Sequence, residues 1–592
     1  MRFCLLALDV KQHGMSDSSY RNTDTTDLLD RASMAETSIS FPRGTASLIG
    51  KLPWILAGFV AAICLLPHIS VLVAAFMGST ETLQSLADTV LGRYTRATLV
   101  LLVTVVTFST LIGTVTAWLV TTTEFRGRRV LEVALVLPLA FPAYVLAYAY
   151  THVLDHPGIV QSTLRAVTGW GPRDYWFPEI RSLGGAAAML TLVLYPYVYL
   201  LARAAFASQS ATTFYAAQSL GQTRFGAFWR VSLPMARPAI ASGAMLVGME
   251  TIADFGTVSY FGVQTFAVGI YSSWFTFADR AAAAQLSLGL LAFALLLAIL
   301  ERVNRGEARY AFGRKFEPMP RVSLTGWSGG LALMTCFLPA FLGCLLPVVM
   351  LSEMAVGSEQ SLFSPRYLQF AQNSVTLGVC AALLTVAVAL LFGSLARNRH
   401  SWFATTVLYI GRLGYAVPGG VIAVGLLVPF AFFDNALDAY MREAFGISTG
   451  LLFTGSIWLL VCAYMIRFLA AAIGAYEGGV AVINPNMDAA ARVLGQSEWG
   501  LLRRVHFPLL RPSLFTALLI VFVDVMKELP ATLIMRPFNF DTLAVQAHRL
   551  AADERLAGAA VPSLVIVAIG TLPVILLCRR IRNEQGNKKE GA

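Results

Sequence analysis

Apolar runs of about twenty residues alternate with short polar segments along most of this 592-residue chain, and runs of that length cross a bilayer as helices. Twelve spans are expected, near 53–77, 97–120, 130–152, 184–206, 236–257 and 284–302, then 325–350, 373–396, 403–432, 451–475, 510–531 and 560–578. The 403–432 run is too long for one straight helix and contains Pro418-Gly419-Gly420, which predicts a kink or tilt. Pro138 and Pro142 interrupt the 130–152 run; neighbouring helices can satisfy the carbonyls that such prolines free. The polar stretches leave a disordered N-terminal segment (1–50), a linker (303–323) and a tail (581–592) around two halves, 51–302 and 324–580. The expected fold is an all-α polytopic membrane protein with about twelve transmembrane helices.

The halves are copies of one another. Ala216-Ala217-Gln218-Ser219-Leu220-Gly221-Gln222, followed by Leu233-Pro234, returns as Ala490-Ala491-Arg492-Val493-Leu494-Gly495-Gln496, followed by Phe507-Pro508. The offset is constant, 495 − 221 = 274 and 508 − 234 = 274. An ungapped repeat between apolar spans means two homologous six-helix halves. Each copy reads as a short helix, a Gly that tolerates left-handed backbone, and a Pro opening the next span. Small Ala residues on one face admit another protein's surface. Phe225, Phe228, Trp229 and Trp499, Leu501, Leu502 are suited to seat the short helix in a partner's groove. A helix lying on the membrane surface is the weaker alternative, because the segment is duplicated.

Composition agrees with a membrane protein: 56% hydrophobic and 13% charged, about half the charge of a soluble chain. The net charge of +10 does not point to nucleic acid, since the basic residues cluster between spans. Clusters at Arg126/Arg128/Arg129, Arg224/Arg230, Arg302 to Lys315, Arg397/Arg399, Arg503/Arg504 and Arg579/Arg580/Arg582 all fall on one side of the predicted topology. By the positive-inside rule both termini, the linker and both repeated segments face the cytoplasm. Segments 153–183 and 433–450 then face outward. The seven cysteines form no CxxC pair and read as packing residues. The seven histidines form no metal-ligand motif. No metal site is assigned. Met1, Met15 and Met34 are alternative starts.

The duplicated segment resembles the EAA motif of permease subunits in binding-protein-dependent ABC importers: Glu-Ala-Ala, three residues, Gly, then a downstream Pro. The match falls on Ala216, Ala217, Gly221 and Pro234, and on Ala490, Ala491, Gly495 and Pro508. The family's Glu position holds Tyr215 and Ala489, with Asp488 one residue early. The resemblance, over about residues 50–580, implies that these segments dock a separate cytoplasmic ABC ATPase, in two copies. It implies a periplasmic substrate-binding protein as the second partner and the bacterial inner membrane as the location. Met249 to Thr257, Lys527 to Pro537, Phe540 to Val545 and Ala281 to Leu286 are similar to fused ferric-iron permeases. Relatives for thiamine, phosphonate, sulfate or polyamine share the architecture and remain alternatives. No G-x-x-x-x-G-K-[ST] loop occurs. The chain is therefore expected to be no enzyme and to bind no cofactor, with ATP used by the partner.

Acids lie inside the spans that follow the repeats. Glu250 and Asp254 are four apart and are expected on one helix face, as are Asp524 and Glu528. The offset holds again, 524 − 250 = 274 and 528 − 254 = 274. Counted from Arg237, Glu250 stands about 20 Å up its helix. Lys527 is the neighbouring base. Ionisable groups in hydrocarbon are costly and line a path or pair with one another. A translocation route between the halves and a structural network that locks two helices are both open here. A secondary transporter fits the repeats and the acids but needs no cytoplasmic docking segment. A membrane enzyme ranks last, because no catalytic constellation is present.

Overall fold

The computed structural model describes residues 48–77, 80–305, 321–358, 360, 364–398, 401–414, 417–480, 483–496 and 498–590. The expected disordered segment, nearly all of it, and most of the 303–323 linker lie outside these. Leu56–Ala592 forms one compact unit, and all packing described below is within it.

The first half contains α1 (Leu48–Met77), α2 (Gly92–Thr122), α3 (Arg128–Ala134), α4 (Ala143–Leu154), α5 (Leu183–Ala207), α6 (Ala211–Ser219), α7 (Leu233–Ala253), α8 (Gly256–Tyr260), α9 (Phe266–Phe275) and α10 (Arg280–Arg305). The second contains α11 (Gly326–Ala340), α12 (Leu346–Val356), α13 (Pro365–Asn398), α14 (Trp402–Leu413), α15 (Gly419–Phe445), α16 (Ile457–Val480), α17 (Pro485–Val493), α18 (Phe507–Lys527), α19 (Pro530–Met535), α20 (Leu543–Ala552) and α21 (Leu556–Glu590). The repeat extends to helix ends: 485 − 211 = 274 and 493 − 219 = 274 for α6 and α17, 507 − 233 = 274 and 527 − 253 = 274 for α7 and α18. The one strand pair, among the described residues, is parallel and joins β1 (Thr123–Glu124) to β2 (Val322–Ser323), so the end of the linker is fastened to the first half.

Among the described residues, ten helices are long and apolar enough to cross a membrane, eleven if the bent pair Arg128–Ala140 and Ala143–Thr168 is one span. The expected twelfth, 236–257, is the helix α7, which falls short of that apolarity. Arg237, Ser242, Gly243, Gly248 and Glu250 dilute it. The bent pair turns by 96°, where Pro138 lies within a short 3₁₀ turn at Leu137–Ala140 and Pro142 follows it. The 403–432 run is two helices, α14 and α15. The second starts at Gly419 and continues to Phe445, so Asp434 and Asp438 lie on a helix rather than in the expected 433–450 loop. There Asp434 accepts hydrogen bonds from the backbone N–H groups of Phe453 and Thr454.

Pro234 and Pro508 do not open free helix ends. Each follows a π turn, Phe228–Ser232 and Leu502–His506. In the first, Leu233 N–H reaches back to Phe228 O. The wider turn continues the helix through a residue with no N–H to donate. Pro347 follows the same device at Phe341–Leu345.

Packing interleaves the halves. Within each half α2 lies along α5 and α7, and α13 along α16 and α18. The first span of each half crosses over. Gly425 of α15 approaches α1 so closely that a Cβ there would sit 2.5 Å from Pro67 O, while α12 packs on α4. The two apolar cores accordingly mix residues from both: Leu101, Tyr148 and Tyr195 share one with Cys336, Leu351 and Val567. Ala57, Val71 and Leu290 share the other with Val421, Tyr464 and Val521.

Candidate functional site: a charged cavity between the halves and two exposed segments

The helices that carry the acids stop at the same level. α7 ends at Ala253, with Asp254 in extended backbone (ψ 128°). α18 ends at Lys527, with Glu528 likewise extended (ψ 125°). Neither expected acidic pair therefore shares one helix face; the second acid of each stands in the break before α8 or α19. Such breaks expose backbone polar groups and are tolerated at membrane depth where they line a cavity. Asp254 uses its carboxylate to cap α8, accepting from the N–H groups of Thr257 and Val258, both at 3.1 Å. Glu528 accepts weakly from Ala531 N at 3.4 Å.

A cavity of about 80 Å³ opens at these breaks. Its wall combines Glu250, Asp254, Tyr144, Tyr197 and Val193 of the first half with Arg467, Lys527, Glu528 and Pro530 of the second. Four of the five predicted charged residues thus meet across the halves. Asp524 does not line the cavity; it pairs with Lys527 Nζ at 2.9 Å. Sequence reading missed Arg467. It projects from the middle of α16, is buried, and places Nη1 3.4 Å from Glu528 Oε1 and Nη2 4.0 Å from Glu250 Oε2. A lone Arg inside the 451–475 apolar run was the available signal. Tyr144 is buried, and its hydroxyl has no hydrogen-bond partner among the described residues. No trio of His, Cys, Asp or Glu among the described residues is arranged to hold a metal ion.

The repeated segments form the second feature. Ser210 and Asn484 cap α6 and α17 by accepting from the N–H two residues on. Gly221 (φ 83°) and Gly495 (φ 76°) then turn the chain through left-handed backbone. Ala216 and Ala490 are exposed, whereas Ala217 and Ala491 are buried against their own chain. The expectation of an open Ala face therefore holds for one Ala of each pair; the other seats the helix. Large apolar side chains are exposed on both: Tyr215 and Leu220 (82% exposed) in one copy, Met487, Val493 (87%) and Leu494 (77%) in the other. Phe225 and Trp229 add to the first.

The two copies are anchored differently. Behind α6, the Trp118 ring stands 4.5 Å from Phe228, 5.2 Å from Phe206 and 6.5 Å from Phe214, centroid to centroid. Behind α17, Asp488 receives Arg397 Nε at 2.8 Å and lies 2.9 Å from His506 Nε2. Arg397 also donates to the carbonyls of Val480 and Ile483. Burial pushes the Asp488 carboxyl up, but the bonds to Arg397 and His506 outweigh it and hold it below its ordinary value. Phe214 is the repeat counterpart of Asp488, 488 − 214 = 274. On the face remote from these segments, Arg181 forks onto Glu554 at 2.6 and 2.9 Å and onto Asp155 at 3.0 Å, joining the halves a second time. That fork draws the Glu554 carboxyl down.

With this geometry in hand, comparison with known proteins is specific. The family model described as binding-protein-dependent transport system inner membrane component matches twice, at residues 109–306 and 367–582. The Fe(3+)-transport system permease protein FbpB 2 of Haemophilus influenzae is 26% identical over 518 residues, 86% of this chain and 95% of the relative. The ferric transport system permease protein FbpB of Actinobacillus pleuropneumoniae is 23% identical over 462 residues, 75% of this chain and 64% of the relative. A putative 2-aminoethylphosphonate transport system permease protein, PhnV of Salmonella typhimurium, is 29% identical over 219 residues, 36% of this chain and 75% of the relative.

Proposed function

Because the chain belongs to the family of binding-protein-dependent transport system inner membrane components, we propose that it is the translocation subunit, with both halves in one chain, of an ATP-driven importer for ferric iron. The observation that carries this reading is the matched pair of segments at α6 and α17, each presenting apolar side chains to a partner. Two copies of a cytoplasmic ATPase dock there, one on each. The chain supplies no ATP site. Both termini and both segments lie in the cytoplasm, as the basic clusters require. The opposite face, tied by Arg181 and Glu554, receives a periplasmic binding protein.

Ferric iron suits the carboxylate oxygens at the cavity, which are hard donors for a hard cation, and it is the cargo named for two of the relatives that match most of the chain. One observation favours a second cargo. Arg467 and Lys527 stand beside Glu250 and Glu528, and an aminophosphonate carries both signs of charge. The deciding experiment reconstitutes the chain with its partner ATPase and binding protein. Vesicles should accumulate ferric iron only with ATP and binding protein present. Accumulation of 2-aminoethylphosphonate instead would establish the second cargo, and accumulation of neither would contradict both.

A further inference from the structure

The acids in and beside the cavity come in matched pairs and the bases do not. Glu250 and Asp524 are repeat counterparts, as are Asp254 and Glu528. Arg467 has Val193 as its counterpart, 467 − 193 = 274, and Lys527 has Ala253, 527 − 253 = 274. Val193 and Ala253 line the same cavity. The duplicated framework therefore supplies carboxylates from both halves, and the second half alone supplies cations.

The two cations are held differently. Lys527 is within hydrogen-bond distance of Asp524. Arg467 faces Glu250 and Glu528 at 4.0 and 3.4 Å, longer than a formed charge-assisted hydrogen bond. A guanidinium keeps its charge at any working pH, so it acts as a permanent counter-ion. Space for it depends on Gly419, where a Cβ would lie 2.4 Å from Glu528 Oε1 and 2.5 Å from Arg467 Nη1.

We propose that Arg467 is a resident counter-cation that occupies the Glu250/Glu528 carboxylates between transport events and yields them to the passing metal cation. Glu250 comes from one half and Glu528 from the other, so the guanidinium also closes the seam. The buried Tyr144 hydroxyl in the same wall is a further oxygen donor for that cation. With Arg467 in place small cations find the charge of the carboxylate pair already half compensated. A multivalent cation competes for them by its higher charge. This inference rests on the reading that the cargo is a cation.

The test measures passive manganese entry into vesicles that contain the full chain and a trapped indicator, without ATP or binding protein. Arg467→Ala should raise entry about tenfold or more, because removing one partner leaves a buried carboxylate pair uncompensated. Arg467→Lys should return it to the wild-type level. If Arg467→Ala fails to insert, Arg467→Met keeps most of the apolar stem and is read the same way. Unchanged entry in the neutral variants, or equal entry in the Lys and neutral variants, would overturn the proposal. Because manganese leak is scored apart from ferric uptake, a wild-type protein that moves no iron while the neutral variants leak refutes the ferric cargo and leaves the counter-cation role standing.

Discussion

At the scale of single residues the account turns on how closely charged groups approach in the cavity wall. Gly419 and Gly420 make a sharp contrast. An added methyl at Gly419 meets the tips of Glu528 and Arg467, whereas at Gly420 it meets only Ile534 Cδ1 at 3.9 Å. The tips of long side chains can move aside, so Gly419→Ala should cost at most about 1–3 kcal/mol of stability while prising apart the Arg467–Glu528 pair. The expected result is near-normal folded protein with reduced uptake per molecule and raised manganese entry. Gly420→Ala should change neither, which purified yield and vesicle assays will show. The matched acids were legible from the sequence because they recur at a fixed offset. Arg467 was not, since a single charge in an apolar run has no repeat partner to mark it. The i, i+4 spacing also misled, because it assumes an unbroken helix and the helices end between the two acids.

At the scale of elements, the two repeated segments share boundaries, cap positions and left-handed glycines, and these follow from residues that any reading of the chain can see. Their anchoring does not, because it depends on helices distant in sequence. α6 rests on an aromatic cluster around Trp118. α17 rests on Asp488 and its bonds to Arg397 and His506. A polar anchor of this kind is lost when one partner loses its charge, with a cost of up to about 3–5 kcal/mol where the pair is buried. Asp488→Asn should therefore loosen α17 and lower ATPase co-purification severalfold, without affecting α6. Phe214→Leu keeps the first anchor apolar and should lower it little. Comparable losses in the two variants would show that the anchors do not differ in this way. Since the Asp488 carboxyl is held below its ordinary value, its contribution is complete above the usual carboxylate range. It disappears only as pH falls through the lowered value. The kinks at Pro142 and Pro418 were also legible, as breaks that neighbouring helices can tolerate. The length of α15 was not, because polar residues on a helix that outruns its apolar stretch look like a loop.

At the scale of the whole molecule, one chain contains both halves of the pathway. Each half sends its first span across to the other, and both apolar cores draw on both halves. The charged cavity closes the seam at one level and Arg181 with Glu554 close it at another. If each repeated segment docks one ATPase, as proposed, one copy of this chain takes two ATPase subunits. The mass of the intact detergent-solubilised complex, measured under native conditions, tests this directly. The account predicts one copy of this chain with two copies of the ATPase. A complex containing two copies of this chain, or one that saturates at a single ATPase, would contradict it.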